Sequence, residues 1–196
     1  MKPPGILSMF AAMTWWLILV VWCAALVAPA ATAMSAFTGL PAMEVTTDRV
    51  EAFFGDDHEA AGRFVAGYVV HPVFQASARV QTGCAILALV LLVLRRGAPV
   101  GRPRSISRRL GTTAAMLAIV TFAWYLIGVL PSVETALETW RGAVNSGDRE
   151  AAAAAYAAFD PWHRSAERAV QLTFAAVLVA VIAGGIASAP ARSDRR

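Results

Sequence analysis

The sequence predicts an all-α membrane protein, a bundle of four transmembrane helices with short extracytoplasmic helices in the two outer connections. Three observations predict it. The 196 residues are 58% hydrophobic and only 15% charged, whereas soluble domains are about 45–50% apolar and about 25% charged; the mean hydropathy is +0.57. Four nearly uncharged runs each supply the roughly 20 helical residues that cross a hydrocarbon core about 30 Å thick. The remaining charges are sorted by sign between alternate connections.

The first run covers residues 6–30, carries Trp15, Trp16 and Trp22, and has Pro29 at its outer end. Lys2 and Ala31-Thr32-Ala33 give it some likeness to a cleavable signal peptide. Its charge-free stretch from Gly5 to Ala33 exceeds 25 residues, however, and a signal's apolar region is about 7–15 residues. A retained span is the expectation and a cleaved signal the alternative. The second run, residues 73–94, stops at Arg95 and Arg96. The third, 110–130, meets Pro131, and the fourth, 169–189, meets Pro190. Gly184-Gly185, with Ala180 and Ala183, permits close helix approach in the fourth. Trp124 and Tyr125 suit the aromatic belt of a membrane interface. No internal repeat or linker divides the chain, so residues 1–196 read as one integral membrane domain.

Orientation follows from the arginines. The connection between the second and third runs holds Arg95, Arg96, Arg102, Arg104, Arg108 and Arg109 and no acid. Excess Lys and Arg mark cytoplasmic loops. Lys2 and the tail residues Arg192, Arg195 and Arg196 agree. Both termini are thus predicted inside a bacterial inner membrane, with residues 31–72 and 132–168 outside. Sorted this way, the inner side has ten basic residues against one acid, and the outer side, Arg79 included, has seven against twelve. The net +4 hides a polarised molecule, and a pI near 9.7 gives no support to nucleic acid as a partner. Membrane lipids are the expected partners, each basic residue near anionic headgroups contributing about 1 kcal/mol. A second copy or other membrane proteins are the further candidates.

The outer segments read as helical. Asp48 and Glu51 resemble a helix start, and Val50, Phe53 and Phe54 recur near helical spacing. Residues 149–159 are alanine-rich, which favours helix. Asp160-Pro161 looks like a cap followed by the first helical residue, so the fourth long helix is predicted to begin at Pro161.

Two groups of residues carry candidate chemistry. His71 precedes the second run and His163 sits one turn above the fourth; on neighbouring helices they would face each other at the outer rim. Imidazole ligates copper and haem iron, so the pair is a candidate metal site, with Met34, Met43 or Tyr68 as further ligands. The competing reading is interfacial histidines with a structural or pH-sensitive role, because no closely spaced pair such as H-x-x-x-H is present. Arg79 lies 15 residues from Leu94, about 22 Å along a helix. That is about 8 Å inside the outer boundary of the hydrocarbon core. With Gln75 and Gln81 it could line a polar vestibule for an anion or lipid headgroup; the alternative is a snorkelling or structural arginine. Arg164, Glu167, Arg168 and Gln171 read as an interfacial anchor.

Other readings fall away. Cys23 and Cys84 lie inside apolar runs with no C-x-x-C and read as small hydrophobes. The four runs contain no Asp or Glu, against a proton- or cation-coupled pump. No nucleophile elbow, P-loop, H-E-x-x-H or G-x-G-x-x-G occurs, so no enzyme is expected.

Certain features also recur in a set order: Trp22 and Ala28-Pro29-Ala30, Val73-Phe74 and Gly83-Cys84-Ala85, Pro131, then Phe159 with Trp162-His163. That order resembles a bacterial family of four-helix membrane proteins of unknown function, related to eukaryotic transmembrane proteins associated with cisplatin resistance. Residues 44–62 look like an insertion. The sequence departs from the family where a serine and an asparagine usually follow the histidine by one to two turns: here Ser165 comes early and Gln171 is the only amide near. The resemblance implies a small integral membrane protein without an established activity. It is also distantly similar to four-helix copper-resistance and haem-related membrane proteins, which favours the metal site. The expectation is a non-enzymatic structural, accessory or transport-associated protein. Copper or haem binding, and a lipid or small-solute carrier, are the alternatives.

Overall fold

The computed structural model describes residues 6–96 and 106–188, and these are helical almost throughout, with no strand among them. The helices are α1 (Ile6–Ala42), α2 (Asp48–Phe54), α3 (His58–Arg96), α4 (Ile106–Trp124), α5 (Leu130–Ser146) and α6 (Arg149–Ser188). A single π-helical turn, Tyr125–Val129, joins α4 to α5. Arg102 and Arg104 lie outside the described residues, as do the side chains of Arg95 and Arg96.

Short signals set the breaks. In α2, Asp48 and Glu51 occupy the first turn, where acids complement the helix dipole. Gly55 ends it at φ 62°. The Asp57 carboxylate accepts the Ala60 N–H at 2.9 Å and opens α3. Asp148 does the same for Ala151 at 2.9 Å and opens α6. Gly147, at φ 78°, closes α5 by donating to the Ala143 and Val144 carbonyls, a left-handed cap that suits glycine.

The long helices form a four-cornered bundle. α1 packs along α3 and α4 along α6, while lesser contacts of α1 with α6 and of α3 with α4 close the ring, so α3 and α6 stand across a diagonal. Large residues of α1 fill the centre: Trp15, Leu19, Trp22 and Leu26. The other helices turn alanines toward them, including Ala85 and Ala88 of α3, Ala115 and Ala118 of α4, and Ala176 and Ala180 of α6. Small faces let helices approach closely. The ring of Trp16 lies 3.3 Å from where a side chain on Gly184 would begin.

The exterior is apolar. Leu17, Val20, Ile86, Val93, Ile127 and Ile186 are all exposed, far beyond the patches of a soluble monomer. Among the described residues, four helices are long and apolar enough to cross a membrane, and the chain is a multi-pass integral membrane protein. Helices of 37, 39 and 40 residues rise about 55–60 Å, well past the hydrocarbon core. Their excess length lies at one end, where α2, α5 and the neighbouring parts of α1, α3 and α6 build a cap. The opposite end, where α3 stops and α4 starts, is rich in arginine.

The prolines act differently from the sequence reading. Pro29 and Pro131 do not end their helices, and Pro161 does not begin one. α1 runs on to Ala42, α4 continues through the π turn into α5, and α6 begins at Arg149. A proline deprives one carbonyl of its helical donor, and the helix continues where another group serves that carbonyl. For Pro29 the carbonyl is that of Ala25, and the Ser77 hydroxyl of α3 donates to it at 2.5 Å. Ahead of Pro131 the ladder shifts register, with the Leu130 N–H reaching the Tyr125 carbonyl. Pro161 frees the carbonyl of Ala157, an exposed residue above the apolar run. Pro29, Pro72, Pro131 and Pro161 all lie about 35–40 Å of helix from the arginine-rich end.

Where α1 finishes, it presses on α3. A side chain on Gly62 would begin 2.6 Å from the Pro41 Cα, and backbone cannot yield easily. Gly62→Ala is expected to destabilise the cap by about 1–3 kcal/mol through overpacking, despite the better helix propensity of alanine. Hydrogen exchange at residues 58–66 should rise while the spans stay protected. Unchanged exchange would show that α1 can retreat freely.

Candidate functional site

The cap has its own core. Val50 of α2, Ala61 and Phe64 of α3, Ala143 and Val144 of α5 and Ala152 of α6 are buried together, flanked by Phe53, Phe54, Val65 and Trp140. Rings continue the contact across the cap. Phe64 meets Trp140 edge-on at 5.2 Å, Trp140 stacks on Phe159 at 5.9 Å, and Phe159 stacks on His163 at 5.1 Å. Arg141 fastens α5 to α3: its guanidinium lies 4.1 Å from the Tyr68 ring centre and donates to the Gly67 carbonyl at 2.8 Å. The Asn145 amide donates to the Tyr68 hydroxyl at 3.2 Å. Burial pulls the Arg141 guanidinium below its ordinary pKa, while Tyr68 and Glu138 oppose the shift.

The two candidate metal ligands are placed on diagonal helices, His71 on α3 and His163 on α6. Each has a partner one turn away on its own helix. The Gln75 amide nitrogen, a donor only, gives its hydrogen to His71 Nε2 at 3.0 Å. His163 Nε2 lies 3.3 Å from the Glu167 carboxylate. Among the described residues, no three of His, Cys, Asp and Glu gather into a cluster fit for a metal ion. Met34 and Met43 are exposed at the end of α1. Arg164 pairs with Asp160 one turn earlier, and the anchor reading of this stretch fits its exposure.

The seam between α1 and α3 holds a polar relay that the sequence reading missed. Ser77 donates to the Ala25 carbonyl and accepts from the Gln81 amide at 2.9 Å. Ser77 and Gln81 are both buried. Among the described residues, the Gln81 carbonyl oxygen and the Trp22 indole N–H are buried without hydrogen-bond partners. On the other side of the bundle, the Thr121 and Thr173 hydroxyls meet at 3.0 Å, tying α4 to α6. The available signal was Pro29 itself: a proline inside an apolar run implies an orphaned carbonyl four residues back, and hence a donor on a neighbouring helix.

Gln81 is therefore buried in this seam, and it does not share the surface with Arg79 and Gln75, which are exposed on α3. Gln81→Leu removes the stranded oxygen but leaves the Ser77 bond to Ala25. It is expected to leave stability unchanged within about 1 kcal/mol or to raise it, as read by thermal unfolding in detergent. A large loss would show that the amide has a further task.

Among the described residues, two open hollows stand out on the surface. One, of about 390 Å³, lies between α5 and α6 among Pro131, Ser132, Thr135, Ala136, Ala158 and Trp162. The other, about 260 Å³, is almost wholly apolar and lies between α4 and α6 near Leu110 and Ile186. Cys23 is half-buried and Cys84 buried, both as free thiols. No family model, curated protein or solved structure matches the chain.

Proposed function

We propose that the chain is a non-enzymatic protein of the bacterial inner membrane, with both termini in the cytoplasm, and that its acidic cap serves as a structural or accessory module for other membrane proteins. The resemblance to the four-helix family of unknown function belongs to this reading. One observation carries it: the membrane helices run without a break into a cap that has its own aromatic core. Whatever engages the cap is thereby held at a fixed height over the bilayer. The centre of the bundle supports a structural role over that of a carrier, being filled by the tryptophans and leucines of α1 against alanines. On the cap, Met34, Phe37 and Trp162 are exposed apolar contacts for a partner.

Alkaline-phosphatase fusions test the orientation. A fusion at Gly147, in the cap, should be active, and one at residue 102 inactive. The reverse pattern would turn the molecule over. Photocrosslinking in cells from position 37 tests the accessory role. A discrete adduct of fixed mass is expected, and the complete absence of adducts from positions 34, 37 and 162 would count against a partner at the cap.

A further inference from the structure

Arg79 is exposed on the outward face of α3 and, among the described residues, neither a hydrogen bond nor an ion pair engages it. The inference drawn here rests on the membrane reading, because it uses depth. From Leu94, Arg79 is about 22 Å up the helix, so its Cα lies about 8 Å inside the cap-side edge of a core about 30 Å thick. A charge at that depth is costly without a partner, and no span offers a carboxylate. The counter-charge has to come from outside the chain.

Helix geometry indicates where. Side chains lean toward the N-terminus of their helix and lie over the preceding turn. The N-terminus of α3 is in the cap, so the Arg79 stem leans toward the cap-side headgroups. Its reach brings the guanidinium up to the level of Gln75, one turn closer to the cap. Gln75 gives its amide hydrogen to His71, which leaves its carbonyl oxygen as an acceptor for the arginine. Below Arg79 the surface changes character. Gly83, Ile86 and Val90, all exposed, fall within about 40° of Arg79 around the helix. Among the described residues, nothing lies within 4 Å of where a side chain on Gly83 would begin. A cation at headgroup level above an apolar furrow matches a molecule with an anionic head and a hydrocarbon tail.

We infer that Arg79 and Gln75 hold the phosphodiester of one phospholipid in the cap-side leaflet, its acyl chain lying along Gly83, Ile86 and Val90. The guanidinium presents paired donors that fit a phosphate, and a second copy of the chain would bring no carboxylate to that depth, since its spans carry none.

Native mass spectrometry of the full chain in detergent tests this, titrated with phosphatidylglycerol, with diacylglycerol or with inorganic phosphate. The wild type should bind one phosphatidylglycerol. Arg79→Gln should weaken that binding at least tenfold, Arg79→Lys less, and Gln75→Leu about threefold. Diacylglycerol should bind as weakly to the wild type as phosphatidylglycerol does to Arg79→Gln. Equal phosphatidylglycerol binding by wild type and Arg79→Gln overturns the site. Displacement of the lipid by millimolar inorganic phosphate would make it a free-anion site and overturn the lipid assignment. If Arg79→Gln does not fold, as judged by circular dichroism, Gln75→Leu decides alone, and unchanged binding there sinks the proposal. Carbonate extraction of the wild type from membranes would refute the membrane reading itself, separately from the lipid site.

Discussion

Ser77→Ala will destabilise the bundle by about 1–3 kcal/mol, because it strands a buried acceptor. The Ala25 carbonyl has lost its helical donor to Pro29, and the Ser77 hydroxyl replaces that donor at 2.5 Å. Removing the hydroxyl leaves the carbonyl in a region without water and takes the acceptor from Gln81 as well. The proof lies in a second substitution. Pro29→Ala restores an N–H to the α1 ladder and gives Ala25 a partner within its own helix. In that background the loss from Ser77→Ala should shrink by about 1 kcal/mol or more, a coupling that a double-mutant cycle isolates. Reversible unfolding in mixed micelles supplies the four stabilities. Equal losses in both backgrounds would show that the serine does not answer the proline.

Trp140→Ala is expected to be the more damaging change, at the other level of the molecule. Trp140 touches Phe64 of α3 on one side and Tyr156 and Phe159 of α6 on the other, so a single ring joins three helices above the membrane. Truncating a core tryptophan costs about 3–5 kcal/mol; Trp140 is partly exposed, so about 2–3 kcal/mol is expected on that scale. The damage should be local. Protease added to the protein in lipid nanodiscs should cut the cap, starting in the segment between α1 and α2 and at Gly147, while fragments corresponding to the spans remain intact. Trp140→Phe, which keeps a ring, should restore most of the resistance. A cap that resists protease without any ring at position 140 would mean that the membrane helices alone hold it.

Much of the fold is legible in the sequence because lipid imposes a strong pattern. Runs such as residues 73–94, bounded by Arg95 and Arg96, have no other economical reading. The start of α2 at Asp48 is legible as well, from acids in a first turn. The prolines mislead for a physical reason. In water a mid-helix proline costs about 3 kcal/mol, so Pro131 and Pro161 read as boundaries. Inside a bundle the cost depends on what serves the freed carbonyl, and for Pro29 that is a serine about fifty residues away in sequence. Nothing local to Ser77 announces the role. The histidines show the same limit. His71 and His163 can be assigned a height from the spans, but which corner of the bundle each occupies depends on how the helices pair, and they stand across a diagonal. Arg79 is the reverse case: its expected height needs only a distance along one helix, and the structure adds that it is exposed on α3.

The common level of Pro29, Pro72, Pro131 and Pro161 has a mechanical consequence. A helix resists bending through its ladder of hydrogen bonds, and each proline removes a rung. Here all four long columns lose rungs near one level, where membrane gives way to cap, and one of them also carries the π turn. Within that slab each column relies less on its own ladder and more on its neighbours. A sideways force on the cap is therefore met at that level by bridges between columns, the Ser77 bond from α3 to α1 among them, as cross-braces steady a mast at its joints.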